Sequence, residues 1–267
     1  MMIRICLVGG LGRMGREIAS AVAVEDDLEI ASVWDRPESV DRMFGEGKDY
    51  AAATGYGSNP VQVSSEGAKV VGLADIVVDF SLAAAFKEVV RACEDLGKPL
   101  VSGTTAVEDK EAGLAGLAKK VPVVSAPNMS VGVNAVFAIS GILAATIGGT
   151  SDIEIVETHH RTKRDVPSGT ALEIARIVGD ATGRAVKVGR TEENVERGDE
   201  IVIHSLRSGD VPGKHTIAFS SQGETLEIVH TAQSRACFAA GVVRAVRFIA
   251  DSPPGLYNMI DVLGLKP

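Results

Sequence analysis

Met2-Ile3-Arg4-Ile5-Cys6-Leu7-Val8-Gly9-Gly10-Leu11-Gly12-Arg13-Met14-Gly15 opens the chain, and its reading decides the fold of the first half. Residues 2–8 form a short apolar-rich run that reads as a strand. Met14–Val24 has helical spacing, with Ile18, Ala21 and Val22 on one face. Between strand and helix, Gly10, Gly12 and Gly15 fit the spacing G-x-G-x-x-G. An early glycine permits a tight turn. Gly12 lets the backbone approach a pyrophosphate with no Cβ in the way, and Gly15 lets the helix pack closely. A phosphate there meets the positive end of the helix and its N–H groups.

Asp35 closes a second strand over Leu28–Val33, 20 residues after Gly15, where a carboxylate can accept from a ribose hydroxyl. Arg36 follows it. An acid alone disfavours a 2′-phosphate, whereas a neighbouring guanidinium can grip one, so the pair leaves NADH and NADPH both open. Ile76–Phe80, Pro99–Val101 and Val121–Val124 are further strands, with helices over Ala83–Leu96 and Glu108–Lys119 and Gly97 as a helix stop. Asp41–Ser65 has low periodicity and reads as irregular. Strands alternating with helices predict a doubly wound parallel sheet of Rossmann type, ending near Ala126. Ligands of such sheets lie at the carboxyl ends of the strands. Phe80, Ser81, Gly103-Thr104-Thr105 and Ala126-Pro127-Asn128-Met129 therefore become candidates to line the nicotinamide half of a dinucleotide, beside Gly9, Gly10, Leu11, Gly12, Arg13, Met14, Asp35 and Arg36.

The second half changes character. An apolar helix over Val133–Ile147 precedes strand-like segments at Asp152–Thr158, Glu200–Arg207, Lys214–Ser220 and Thr225–Thr231, interrupted by a helix over Thr170–Ala181. This predicts an α/β protein with a second, α+β domain built on a mixed or antiparallel sheet. The expected division is 1–128 for dinucleotide binding and 129–236 for substrate binding and oligomerisation. A C-terminal helical segment of about 237–267 is expected to pack back on the first domain.

The densest chemistry runs from Glu157 to Thr170, as Glu-Thr-His-His-Arg-Thr-Lys-Arg-Asp-Val-Pro-Ser-Gly-Thr. In an extended segment His159 and His160 point to opposite faces. A histidine near neutral pKa suits proton transfer beside a hydride step. Ser168 is an N-cap candidate, and Gly169 and Thr170 then start a helix whose N–H groups, with Lys163, suit a carboxylate. No third ligand stands at metal-binding spacing from the histidine pair, so no metal is expected.

Composition narrows the classes. The 267 residues are 45% hydrophobic with a net charge of −8 and no lysine/arginine run, which argues against nucleic acid as a partner. Cys6, Cys93 and Cys237 are odd in number and far apart, as expected of a reducing, cytoplasmic setting. No apolar run approaching 20 residues is apparent, so no membrane is expected.

These motifs together resemble the dihydrodipicolinate reductase family. The carriers are Gly12-Arg13-Met14-Gly15, the H-H-x-x-K-x-D-x-P-S-G-T pattern from His159 to Thr170, and Asn128-Met129-Ser130-Val131-Gly132-Val133-Asn134 as an interdomain hinge. Arg207-x-Gly209-Asp210-Val211-x-Gly213-x-His215-Thr216 and Ser234-Arg235 add to them. The resemblance implies NADH- or NADPH-dependent reduction of 4-hydroxy-tetrahydrodipicolinate with loss of water, on the diaminopimelate route to lysine. It implies His159 as general acid with Lys163 assisting, and His160, Ser168, Gly169 and Thr170 around a small dicarboxylate. It also implies a homotetramer built by the second domain's sheet. A related dehydrogenase of another small acid would share the first domain and differ over 159–170. A dinucleotide-sensing regulator would have lost His159, His160 and Lys163.

Overall fold

The computed structural model describes residues 2–57, 60–191 and 193–265. Residues 58–59, inside the segment expected to be irregular, and 266–267, at the end of the expected C-terminal segment, lie outside them. The described residues divide into two compact units: residues 2–130 with Phe238–Gly264, and Val131–Cys237 with Leu265.

In the first unit the chain runs β1 (Ile3–Val8), α1 (Arg13–Val22), β2 (Leu28–Trp34), α2 (Pro37–Gly45), α3 (Tyr50–Thr54), β3 (Gln62–Ser64), α4 (Gly67–Val70), β4 (Ile76–Asp79), α5 (Phe86–Leu96), β5 (Leu100–Ser102), α6 (Lys110–Ala118) and β6 (Pro122–Ser125). The second unit holds α7 (Val131–Ile147), β7 (Asp152–His159), α8 (Gly169–Thr182), β8 (Val186–Val188), β9 (Ile201–Arg207), β10 (Gly213–Ser221) and β11 (Glu224–Ala232). The chain then returns to the first unit with most of α9 (Ala236–Ala250), then β12 (Gly255–Tyr257) and α10 (Met259–Leu263).

The first sheet has seven strands in the order β12-β6-β5-β4-β1-β2-β3, every neighbouring pair parallel. The 3-2-1-4-5-6 core of that order is the doubly wound dinucleotide topology. Alternation along β1 sends Ile5 and Leu7 to one face and Cys6 and Val8 to the other, and all four are buried. Ile5 and Leu7 join a core with Ile18 and Val22 of α1 and Val242, Val246 and Ile249 of α9. Cys6 and Val8 join a second core with Phe86, Val89 and Cys93 of α5 and Leu114 and Leu117 of α6. Both faces are thus covered, as parallel sheets require.

Two expectations need correction. Asp41–Ser65 is not irregular: it holds the end of α2, then α3 and β3. These elements are 9, 5 and 3 residues long, too short to show a period. They are held locally, by Pro37 at the start of α2 and by Asp49, whose carboxylate accepts the Ala52 N–H at 2.7 Å. The sheet also does not end near Ala126, because β12 pairs with β6 in parallel.

The second unit's sheet is mixed, in the order β11-β10-β7-β9-β8. β11, β10 and β7 are antiparallel neighbours, and β9 and β8 add in parallel. Along β7 the burial alternates strictly. Ile153 and Ile155 face a core with Val136 and Phe137 of α7 and Ile174 and Val178 of α8. With its terminal 3₁₀ turn, α7 spans Val131–Thr150. By length and composition that helix could cross a membrane, contrary to the sequence estimate of a shorter apolar run. Within this unit Val133, Val136, Phe137 and Ala144 of the same helix are buried in the core, while Ile139 and Ile142 on its other side are exposed.

Candidate active site

In the first unit the carboxyl ends of the parallel strands are tied edge to edge by backbone bonds. Gly9 N donates to Trp34 O at 2.8 Å, Phe80 N to Val8 O at 3.0 Å, Gly103 N to Asp79 O at 2.9 Å, and Ala126 N to Ser102 O at 3.2 Å. These bonds bring the segments beginning at Gly9, Asp35, Phe80, Gly103 and Ala126 to one edge of the sheet. A cleft of about 430 Å³ lies there, lined by Gly9, Leu11, Gly12, Asp35, Arg36, Ser39, Arg42, Phe80 and Ser81 among others. Its size suits a bound small molecule.

The turn over this cleft has no room for side chains. Gly9 has φ +79°, and a Cβ there would lie 2.6 Å from Phe80 O. A Cβ on Gly15 would lie 2.4 Å from Gly9 O, so Gly15 seats the helix against the turn itself. Gly12 caps α1 in extended conformation with no side-chain bond, and the first turn of α1 carries no acid. The helix therefore presents its positive end undiminished, which fits a pyrophosphate. Asp35 Oδ2 accepts the Leu11 N–H at 2.8 Å and Oδ1 the Arg36 N–H at 2.9 Å, so the acid braces the glycine turn while lining the cleft. Arg36 Nε donates to Ser39 Oγ at 3.0 Å.

The other cofactor candidates sit differently. The Gly10 carbonyl accepts from the buried Tyr50 hydroxyl at 3.2 Å. Arg13 is exposed at the start of α1, and Met14 packs beside the core. Gly103 lies under the Phe80 ring, which a Cβ would meet at 2.3 Å. Thr104 is buried, with its hydroxyl donating to Asp79 Oδ2 at 2.8 Å, and Thr105 is exposed. The Ala126 and Met129 side chains belong to the core, so only their backbone could meet a ligand. Pro127 is exposed, and Asn128 Oδ1 accepts the Ser130 N–H at 2.9 Å.

In the second unit, sheet register builds the site. One row across the core face reads Ile228-Ile217-Ile155-Ile203 from β11 to β9. The next reads His230-His215-Glu157-Ser205, and the one beyond reads Ala232-Gly213 on β11 and β10, then His159-Arg207 on β7 and β9. The apolar core thus gives way to a polar end within two residues. Glu157 is fully buried. Its Oε2 takes His159 Nδ1 at 2.5 Å and Arg207 Nη1 at 2.9 Å, and its Oε1 accepts the Ser168 N–H at 3.2 Å. Burial raises the Glu157 pKa, but bonds from Arg207 and His159 bring it below the ordinary carboxylate range. Burial lowers that of His159. Glu157 opposes this, Lys163 and Arg207 add to it, and the net shift is below 6.5. An imidazole that is neutral near pH 7 and gives its Nδ1–H to Glu157 has Nε2 as its proton-exchanging atom. A Cβ on Gly213 would lie 3.1 Å from that Nε2, so this glycine keeps the space open.

Ser168 caps α8, its Oγ accepting the Ala171 N–H at 3.2 Å and pairing with His215 Nε2 at 3.1 Å. Burial, with His159 beside it, pushes His215 down to about 4. The rings of His159 and His215 meet edge to face at 5.1 Å. Lys163 Nζ pairs with Asp165 at 2.8 Å, and His160 Nδ1 lies 2.8 Å from Thr162 Oγ1. Gly169 is exposed and Thr170 half-buried at the start of α8. Through Glu157, His159 is tied to Ser168 at the α8 N-terminus, which Gly169 and Thr170 continue, and Lys163 lies close enough for its charge to act on His159, whereas His160 bonds within its own loop. A helix N-terminus stabilises anions. Sequence reasoning assigned no role to Glu157, Arg207, Gly213 or His215.

Residues 3–129 match the family pattern described as dihydrodipicolinate reductase, N-terminus, and residues 132–263 match its C-terminus. This chain belongs to the dihydrodipicolinate reductase family. The C-terminal pattern continues into residues that pack in the first unit. A 4-hydroxy-tetrahydrodipicolinate reductase of Syntrophobacter fumaroxidans is 40% identical, covering 99% of this chain and 100% of the relative. One of Alkalilimnicola ehrlichii is also 40% identical, with the same coverage. Among solved structures, dipicolinate-bound dihydrodipicolinate reductase from Paenisporosarcina sp. TG-14 aligns with a TM-score of 0.81 at 25% identity, over 98% of this chain and 99% of that one. An amine dehydrogenase from Mycobacterium smegmatis, at 15% identity and TM-score 0.58, shares the fold alone.

Proposed function

We propose that this chain reduces 4-hydroxy-tetrahydrodipicolinate to tetrahydrodipicolinate with NADH or NADPH, releasing water. The observation that carries the reading is its end-to-end similarity to reductases of that name, together with the clustering of His159, Lys163 and the α8 N-terminus. The nicotinamide, when bound, supplies a hydride to the ring carbon that loses its hydroxyl. One proton is consumed for each water released, and we assign its delivery to His159 Nε2, with Lys163 assisting. The substrate's two carboxylates call for His160, Lys163 and the Ser168-Gly169-Thr170 helix start. Gly9–Met14 and Asp35 hold the pyrophosphate and adenosine ribose, and Phe80, Gly103–Thr105 and Ala126–Met129 border the nicotinamide. Residues 1–128 thus serve dinucleotide binding and 129–236 substrate binding. The open face of the second sheet, with half-exposed Leu206 and Val229, is the surface on which a homotetramer assembles. The setting is cytoplasmic.

The test is loss of reduced-nicotinamide absorbance with freshly generated 4-hydroxy-tetrahydrodipicolinate. Absence of turnover with both cofactors ends the reading. Cofactor choice is set in the cleft where Arg36, Ser39 and Arg42 lie together. Arg36→Ala is expected to weaken NADPH by about 10- to 100-fold, the worth of a charge-assisted bond to phosphate, with a smaller effect on NADH. Calorimetric titration of both cofactors checks this. Equal losses would mean that Arg36 does not touch the 2′-phosphate.

A further inference from the structure

Glu157 has no part in the chemistry above, yet it bonds to the ring proposed to carry the proton and to the start of α8. Its carboxylate meets the His159 imidazole, the N–H of the α8 cap and the Arg207 guanidinium. Arg207 continues outward. Its Nε donates to Lys163 O at 3.3 Å and its Nη2 to Asp165 O at 2.5 Å. One buried ion pair therefore links the proton-carrying ring, the backbone that projects Lys163, and the start of the helix.

We infer that Glu157 is a positioning residue for the reduction. Its carboxylate fixes the imidazole with Nδ1–H turned inward, so that Nε2 carries the exchangeable proton, and Arg207 relays the same anchor to residues 163–165. The inference rests on the proposed reduction and adds to it two residues that touch neither substrate nor cofactor.

A stability role alone does not account for the pair. Buried ion pairs seldom stabilise a fold more than well-packed apolar residues of similar volume, because desolvation offsets their attraction. The groups facing His159 supply a reason for a carboxylate. Arg207 comes from β9, Lys163 from the following loop, and His215 from β10 with His230 behind it on β11. Each is cationic or can become so, and burial also disfavours the imidazolium. Glu157 is the one acid bonded to the ring among the described residues, and it alone opposes these effects. A carboxylate that orients an imidazole by its far nitrogen and supports the protonated ring is a recurrent device in catalytic histidines.

The test uses Glu157→Gln, Glu157→Asp and Arg207→Lys in the full chain. ¹⁵N NMR of the histidine rings reads the His159 tautomer and titration without turnover, and steady-state kinetics gives kcat and KM against pH. In E157Q the His159 titration is expected to move to lower pH by about a unit or more, with the alkaline limb of kcat following it. At pH 7 kcat falls at least about tenfold, and the KM for nicotinamide cofactor stays near wild type. E157D recovers part of both shifts. R207K keeps the His159 titration near wild type but raises substrate KM, because an ammonium cannot span the carboxylate and two carbonyls as the guanidinium fork does. The inference is overturned if the His159 tautomer and titration in E157Q match wild type, or if kcat falls with no movement of the pH limb. Failure of the proposed function shows separately, as absent turnover in the wild-type enzyme, while the NMR result still decides what Glu157 does to His159.

Discussion

Replacing His159 with Gln lowers kcat by about 10²–10⁴, the usual worth of a positioned general acid, and leaves substrate KM within a few-fold. Glutamine keeps a polar group of similar reach but has no proton to give near neutral pH, so the loss falls on the chemical step. The pH profile carries the sharper test. In the proposed reduction the active form is the imidazolium, whose pKa in the free chain lies below 6.5 because burial outweighs the help from Glu157. An acid form is lost as pH rises, so kcat/KM falls about tenfold per unit above that pKa. The limb in kcat lies at higher pH, since a bound dianion favours the charged ring. H159Q should lose this limb. Steady-state kinetics from pH 5 to 9 decides it: an unchanged rate, or the same limb surviving in the variant, assigns the proton to another group.

What could be read from the sequence was what is local. The glycine turn, Asp35 after β2 and Ser168 as the α8 cap each declare themselves within a few neighbouring residues. The turn and the cap have the expected local geometry, and Asp35 adds an unforeseen bond to the Leu11 N–H. The contents of the second site are instead set by sheet register. Arg207 comes to His159, and His215 to Glu157, because β9 and β10 flank β7, and no spacing of 48 or 58 residues announces that. Glu157 was within reach. It lies two residues before His159 on a strand, so the period of two places both on one face, and an acid beside a buried histidine is a signal in itself. Residues 41–65 failed for another reason. Helices of five and nine residues and a three-residue strand contain too few positions to define a period, and beside their local caps a tertiary bond holds them, the Tyr50 hydroxyl on the Gly10 carbonyl. β12 is a three-residue strand directly after the Pro253-Pro254 pair, and only its partner β6 makes it a strand.

Gly241→Ala is expected to destabilise the chain by about 3 kcal/mol or more, against the sign that helix propensity alone predicts. Gly241 lies inside α9, where alanine is ordinarily favoured by up to about 1 kcal/mol. Here a Cβ would lie 1.7 Å from the carbonyl oxygen of Met129, and that obstacle is backbone. A flexible side-chain tip could swing aside, but relieving this contact requires Met129 or the whole helix to move by more than an ångström. Overpacking of even mobile side chains typically costs about 1–3 kcal/mol, which already exceeds the propensity gain. Met129 is itself buried in the core that α9 completes with Val242, Val246 and Ile249, so neither partner can retreat without opening that core. Because Asn128 and Met129 are proposed to border the nicotinamide, cofactor affinity should fall together with stability. Gly45→Ala is the control. It sits at the last residue of α2 with nothing within 4 Å of a new Cβ, so propensity acts unopposed and stability rises slightly. Urea unfolding midpoints of the two variants should therefore move in opposite directions. A G241A midpoint equal to or above wild type would mean that α9 does not meet Met129 as closely as its carbonyl position implies.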